Sequence, residues 1–136
     1  NIKPLIIEQA LAFAVIFIFY IFVYMDYRVK ADKIKNEAKI FEESNKRKAK
    51  IACMGLAFKP NIDDLRESPA LTITKQLIAD NLDVMPVEPN ISVHSDFEVY
   101  DYKFALKEAD IIAFLVSHKE FQNLDLSASL NFCGVS

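Results

Sequence analysis

Two cationic side chains, Lys59 and Arg66, lie in a charged loop between an apolar run and a helix start. The run begins at residue 51 and breaks at Gly55. The helix start is Ser68-Pro69, because serine at an N-cap accepts a backbone N–H and proline at the first helical position has its φ already set. A helix N-terminus at the carboxyl end of a parallel strand attracts phosphate, so this order predicts a loop that binds a phosphorylated ligand.

The same charges allow a purely structural interpretation. Arg66 is followed by Glu67 and preceded by Asp63 and Asp64, so it can form an ion pair within the loop. A strand, a charged loop and a helix carry no fingerprint of their own. The spacing alone leaves both interpretations open.

Polar residues also follow two other predicted strands. Glu88 comes before Pro89-Asn90, and His118 follows Ser117. Glu88 has the alternative role of capping a neighbouring loop, and His118 that of starting a helical turn. No nucleophile–base pair is evident, which gives no support to a hydrolytic mechanism, and the two histidines lack partners at metal-ligand spacing.

The elements that position these residues alternate along the chain. Predicted strands cover residues 50–56, 82–88, 111–116 and 130–135, and predicted helical segments cover residues 69–81, 101–110 and 117–123. Strands separated by helices imply right-handed crossovers and a parallel sheet covered on both faces. We therefore predict an α/β fold, a small doubly wound sheet of Rossmann-like or flavodoxin-like type, preceded by a long N-terminal helical segment.

Composition narrows the possible functions. A net charge of −3 argues against a general nucleic-acid binder. The 136 residues suffice for one ordinary domain, and two glycines cannot supply the G-x-G-x-x-G turn of a dinucleotide fold. Cys53 and Cys133 lie in apolar runs without C-x-x-C spacing, so we expect both to be buried and reduced.

The N-terminal segment is apolar on all sides. Residues 10–25 carry no polar group other than tyrosine hydroxyls, and the run from residue 5 is long enough to cross a bilayer. Arg28, Lys30, Lys33 and Lys35 follow it, so the positive-inside rule places the C-terminal side in the cytoplasm. The alternative is a helix or a pair of strands buried against the rest of the protein.

Residues 27–43 change to an amphipathic pattern. Apolar residues recur at spacings of three and four on one helical face: Tyr27, Ala31, Ile34, Ala38 and Phe41. We therefore divide the chain into an apolar helix and membrane anchor at 1–26, an amphipathic connecting helix at 27–49, and an α/β domain at 50–136.

One stretch resembles a known family. Residues 55–70, G-L-A-F-K-P-N-I-D-D-L-R-E-S-P-A, resemble the signature loop of the C-terminal domain of the UDP-glucose/GDP-mannose dehydrogenase family. Within the family the likeness is greatest to UDP-N-acetyl-D-mannosamine dehydrogenases. It continues through residues 84–90, 102–110 and 118–121 and ends near residue 135.

The resemblance implies a UDP-binding domain that closes the active-site cleft of an enzyme oxidising the sugar C6 hydroxyl to a carboxylate with NAD. The ligand residues it implies are Phe58, Lys59, Pro60, Asp64, Arg66 and Ser68. The NAD domain and the catalytic cysteine have no counterpart here, so we expect this chain alone to bind UDP or a UDP-sugar, to bind no NAD and no metal, and to be inactive.

Membrane contact and homodimerisation through the N-terminal helices are the other expected associations, with the domain in the cytoplasm at the inner face of a membrane. The competing hypothesis is a small membrane-anchored interaction or scaffold protein with no ligand function.

Overall fold

The computed structural model describes residues 3–124 and 131–134 of the chain. A long helix, α1, spans Lys3–Asn45 and is followed by β1 at Lys50–Met54. The remaining elements are α2 at Pro69–Ala79, β2 at Asp83–Val87, α3 at Tyr102–Glu108, β3 at Ile111–Phe114, a 3-10 turn at Lys119–Phe121 and β4 at Asn131–Gly134. From residue 50 onward each predicted strand and helical segment is present, with ends that differ by no more than two residues.

The strands form one parallel sheet in the order β2-β1-β3-β4. Ile51 of β1 is level with Val84 of β2 and with Ile111 of β3. The chain moves from β1 to one neighbour and then crosses to the other, so the strand order reverses between β1 and β3. The predicted α/β class is confirmed.

Alternate residues of β1 enter two separate cores. Ile51 and Cys53 lie in a core with α1 and α2, whereas Ala52 and Met54 lie in a core with α3 and the 3-10 turn. All four are fully buried. Helices therefore cover both faces of the sheet, as expected of a doubly wound fold. The side chain of Cys133, predicted to be buried, lies outside the described part.

The second half of α1 belongs to the domain core. Ala31, Ile34 and Ala38 are buried against the sheet and α2, with Tyr27 and Phe41 packed beside them. This is the face predicted from the three-and-four spacing, and it is confirmed. The helix continues without a break through residue 26. The predicted change from an apolar to an amphipathic pattern is therefore a change of burial within one helix.

Contacts at the two ends of its buried half show the direction of α1 along the sheet. Lys35 pairs with Asp80 after the end of α2, and Arg47 binds both carboxylate oxygens of Asp110 at 2.8 Å, just before β3. At the other end, the pKa of Tyr27 is raised, mainly by burial and also by nearby negative charges that include Glu67, before α2. Helix α1 therefore runs parallel to α2, and its first half projects beyond the carboxyl edge of the sheet.

That projecting half is exposed on every side. Each residue from Gln9 to Phe22 is exposed, including Phe13 at 73% and Tyr20 at 74%. By length and composition, α1 from Gln9 onward could cross a membrane, and its most apolar window is 0% buried. The alternative of a helix buried within this chain does not hold for these residues.

The buried face of α2 differs from the predicted one. Ala70, Ile73, Thr74 and Leu77 are buried, whereas Ile78 is 36% exposed. The sequence pattern predicts that Leu71, Thr74, Leu77 and Ile78 face the sheet, and this prediction is wrong for Ile78. Ala70 is small enough for α2 to approach the sheet, and the buried set keeps the 3-4-7 spacing from that residue.

Candidate functional site

The carboxyl ends of three neighbouring strands bring three loops together. Residues 55–68, here called the signature loop, follow β1, and the loops that follow β2 and β3 lie on either side. The β2 loop begins at Glu88 and the β3 loop contains His118. Open α/β sheets bind ligands at this edge, where the strand order reverses.

Gly55 allows the chain to leave β1 close to β3. Its φ is +101°, and a Cβ at this position would lie 2.6 Å from Val116 Cβ. Its N–H donates to Val87 O of β2 at 2.8 Å. The glycine is therefore required by backbone conformation and by close packing between neighbouring chain segments.

The outer part of the signature loop is closed by its own hydrogen bonds. Phe58 N–H donates to Asp64 O at 2.8 Å. The guanidinium of Arg66 binds both Asp64 oxygens, at 3.0 and 2.9 Å, and these contacts with the Arg66 N–H lower the Asp64 pKa to about 2. The ion pair left open by the sequence therefore forms with Asp64. The Arg66 side chain is still 89% exposed, and its fork has further N–H groups to offer.

Of the other predicted ligand residues, three are exposed and one is already hydrogen-bonded within the protein. Phe58, Lys59 and Pro60 are consecutive and exposed, with Lys59 Nζ 5.8 Å from the centre of the Phe58 ring. Ser68 is buried, and its Oγ accepts the Leu71 N–H at 3.3 Å as the N-cap of α2. The predicted helix start is confirmed, and the Ser68 hydroxyl is engaged in it.

Glu88 is a buried carboxylate with both oxygens engaged. Oε1 accepts the N–H groups of Leu56 and Ala57 at 3.0 and 2.9 Å and lies 2.6 Å from His118 Nε2. Oε2 accepts the backbone and side-chain N–H groups of Asn90, both at 3.0 Å. Burial alone would raise the pKa of Glu88, but these donors outweigh burial and lower it. Glu88 caps a neighbouring loop, as its alternative role proposed.

His118 connects this carboxylate to the middle of the signature loop. It is fully buried, and its Nδ1 accepts the Asn61 N–H at 2.8 Å. The hydrogen-bond network therefore assigns the ring hydrogen to Nε2, which donates to Glu88. Asn61 Oδ1 accepts the Lys119 N–H at 2.8 Å in return. Sequence reasoning missed this pairing; its one local signal was an acidic residue that ends an apolar strand.

The arrangement favours binding over covalent chemistry. The lone pair of His118 Nδ1 accepts the Asn61 backbone N–H and Nε2 carries the ring hydrogen, so neither nitrogen is placed to take a proton from a nucleophile. Burial raises the pKa of Cys53 to about 12, which keeps the thiol protonated at neutral pH. In the described part of the chain, no group of three His, Cys, Asp or Glu side chains could hold a metal ion.

A sequence profile decides the family. The profile of the UDP-glucose/GDP-mannose dehydrogenase family, UDP binding domain, matches residues 52–132. The chain belongs to this family. The match covers α2, α3, the signature loop and most of the sheet, so the resemblance read from residues 55–70 is confirmed.

Individual relatives of the family agree with the profile. The chain is 46% identical over 92 residues to a UDP-N-acetyl-D-mannosamine dehydrogenase of Campylobacter jejuni, covering 62% of this chain and 23% of the relative. It is 42% identical over 99 residues to an NDP-N-acetyl-D-galactosaminuronic acid dehydrogenase of Ralstonia nicotianae, covering 69% and 22%. The chain therefore spans about a quarter of the length of these relatives.

A solved structure shares the fold. The UDP-N-acetyl-mannosamine dehydrogenase of S. aureus superposes with a TM-score of 0.62 at 30% identity, covering 78% of this chain and 24% of that one. These relatives are all nucleotide-sugar dehydrogenases. The competing hypothesis of a scaffold protein with no ligand function gains no support from them.

The NAD used by the intact family does not fit the residues of this UDP-binding domain. A dinucleotide pyrophosphate needs unoccupied backbone N–H groups in a glycine-rich turn after the first strand. Here the N–H groups that follow β1, those of Leu56 and Ala57, are taken by Glu88. Gly55 fits against Val116, and the only other glycine is Gly134 in β4.

Proposed function

We propose that the chain is the UDP-sugar-binding C-terminal module of a dehydrogenase of the UDP-N-acetylmannosamine dehydrogenase type. The observation that carries the proposal is the signature loop, which exposes Lys59 and Arg66 between the carboxyl end of β1 and the start of α2. The family match, to a UDP binding domain, supports it. The relatives differ in the sugar they are named for, so the proposal concerns the UDP part of the ligand.

The diphosphate of UDP binds at the outer part of the signature loop. Glu88 fills the N–H groups nearest β1, so an anion is repelled there and directed outward. The N-terminus of α2 carries a partial positive charge that attracts phosphate. Lys59 adds a point charge, and Arg66 adds a planar fork that can contact two phosphate oxygens while keeping Asp64 as a neighbour.

The affinity of the isolated chain is expected to be weak. In a complete enzyme, further domains would add contacts to the UDP-sugar, bind NAD and carry the catalytic cysteine. A dissociation constant near 1 mM corresponds to only about 4 kcal/mol. Loss of one charge-assisted contact removes roughly 1.5–3 kcal/mol, which is enough to take such binding below detection.

The test is titration of the full chain with UDP beside Lys59→Ala and Arg66→Ala. Lys107→Ala is the matched control, because Lys107 lies in the last turn of α3, at the opposite end of the strands. We expect the first two variants to lose measurable binding and the control to keep it. If UDP binds and neither loop variant weakens it, the loop charges are structural; if UDP fails to bind at about 10 mM, the proposed function is wrong.

We further propose that the projecting half of α1 tethers the module to a membrane, with the α/β domain on the cytoplasmic side. The observation that favours a bilayer is the exposure of every side of the helix from Gln9 to Phe22, since a single protein partner needs only one apolar face. The basic residues after it agree with a cytoplasmic domain.

Partitioning tests the tether. The full chain should co-sediment with lipid vesicles or require detergent, and a variant shortened to begin at Asp26 should remain in plain buffer. A full chain that is a monodisperse dimer in plain buffer would contradict the tether and show that the N-terminal helices pair with a second copy instead.

A further inference from the structure

We propose that the buried Glu88–His118 pair positions the signature loop for its ligand, so that UDP affinity depends on two side chains that do not touch UDP. This inference rests on the proposed UDP function. The pair joins the loops that follow β2 and β3, on the two sides of the loop that follows β1.

The first anchor holds the beginning of the loop. Glu88 Oε1 accepts two consecutive backbone N–H groups, from Leu56 and Ala57. All three residues are buried, so the N–H groups have no water to replace a lost carboxylate. The direction in which the chain leaves the sheet is therefore set by an oxygen from the β2 loop.

The second anchor holds the middle of the loop. His118 Nδ1 accepts the Asn61 N–H, and Asn61 Oδ1 accepts the Lys119 N–H, so the two segments are bonded in both directions. Asn61 has a φ of 62°, a conformation that asparagine tolerates better than most residues. The loop is thus held in one turn geometry by the β3 loop.

The two anchors are coupled through one contact. His118 Nε2 and Glu88 Oε1 lie 2.6 Å apart, and between the anchored residues Ala57 and Asn61 only Phe58, Lys59 and Pro60 intervene. A segment this short cannot move far when both ends are fixed, so the pair sets the position of Lys59. Binding then avoids the entropic cost of ordering this segment.

Hydrogen exchange and UDP titration of the full chain together test whether the Glu88–His118 pair positions the signature loop. His118→Phe keeps an aromatic ring but removes the ring nitrogens that bond Asn61 and Glu88, whereas His118→Asn can keep the acceptor for Asn61. Leu77→Ala is the matched control, because Leu77 is fully buried in the core that contains α1 and α2.

We expect His118→Phe to speed amide exchange in residues 55–61 and to raise the UDP dissociation constant, each by about tenfold or more. His118→Asn should recover part of both. Leu77→Ala should lower the thermal midpoint but leave UDP affinity within about twofold, since it touches neither anchor. Equal effects of His118→Phe and Leu77→Ala on UDP affinity would overturn the inference.

A second variant keeps the test informative if His118→Phe does not fold. Asn61→Gly tolerates the positive φ and removes only the exposed bond to Lys119, so folding should survive while UDP affinity falls by roughly two- to fivefold. Unchanged affinity and unchanged loop exchange in Asn61→Gly would refute the contribution of the Asn61–Lys119 bond to the second anchor. Absence of UDP binding by the unmodified chain would refute the proposed function, and with it the dependence of UDP affinity on the pair. Amide exchange at residues 55–61 would still report whether the pair holds the loop.

Discussion

Replacing Ile34 by alanine tests whether the second half of α1 is part of the folding unit. Ile34 is fully buried in the core shared by α1, α2 and the sheet. The substitution deletes three carbon groups, worth about 0.8 kcal/mol each on transfer from water. With the cavity that remains, the free energy of unfolding should fall by roughly 2–5 kcal/mol.

Ile40→Ala is the matched control on the same helix. Ile40 is 52% exposed, so the same chemical change should alter the free energy of unfolding by no more than about 0.5 kcal/mol. Both variants replace isoleucine by alanine within α1, so the gain in helix propensity is the same and cancels in the difference between their free energies of unfolding. Urea titration of the full chain in a mild detergent, followed by near-ultraviolet circular dichroism of the tyrosines, measures the difference. Equal midpoints for the two variants would refute the assignment of α1 to the domain core.

Three further outcomes are expected. Gly55→Ala should lower the free energy of unfolding by roughly 2–5 kcal/mol, because a side chain is strained at a φ of +101° and overlaps Val116; an unchanged urea midpoint would contradict this. Stability should fall as the pH drops below 4.5, because the Glu88 pKa is lowered on folding and a depressed carboxyl stabilises the fold only while ionised; Glu88→Gln should flatten that dependence between pH 7 and pH 3.5, and an equally steep loss in the variant would refute it. The purified chain should form no NADH from any UDP-sugar, since its residues provide no NAD site, and turnover detected at 340 nm would overturn that assignment.

Local signals predicted the helices and strands well. The face of α1 that carries Ala31, Ile34 and Ala38 follows from the three-and-four spacing, because a helix repeats its faces at that period. The start of α2 follows from Ser68-Pro69, where each residue answers a specific need of a helix N-terminus. These predictions rest on interactions between near neighbours in the chain, which the sequence displays directly.

The interactions that build the candidate site were harder to predict. Glu88 and His118 are 30 positions apart, and Asn61 and His118 are 57 apart. Their pairing depends on the strand order, since β1 lies between β2 and β3 only after the crossover is made. A charged residue at a strand end has the same appearance in sequence whether it is exposed or buried. The burial of Glu88 and His118 therefore emerges only once the sheet is assembled.

The direction of α1 has a consequence for ligand traffic. Because α1 enters the fold from the carboxyl edge, the exposed stretch from Gln9 to Phe22 extends roughly 20 Å along its own axis on the side where Lys59 and Arg66 lie. Lipid or protein that surrounds this stretch would also lie over the signature loop. UDP would then enter from the side, through the gap between that lipid or protein and the carboxyl edge of the sheet. The rate of ligand entry would be governed by the height of α1 above the edge, so adding or removing helical turns between residues 22 and 27 should change association rates without changing any residue of the site.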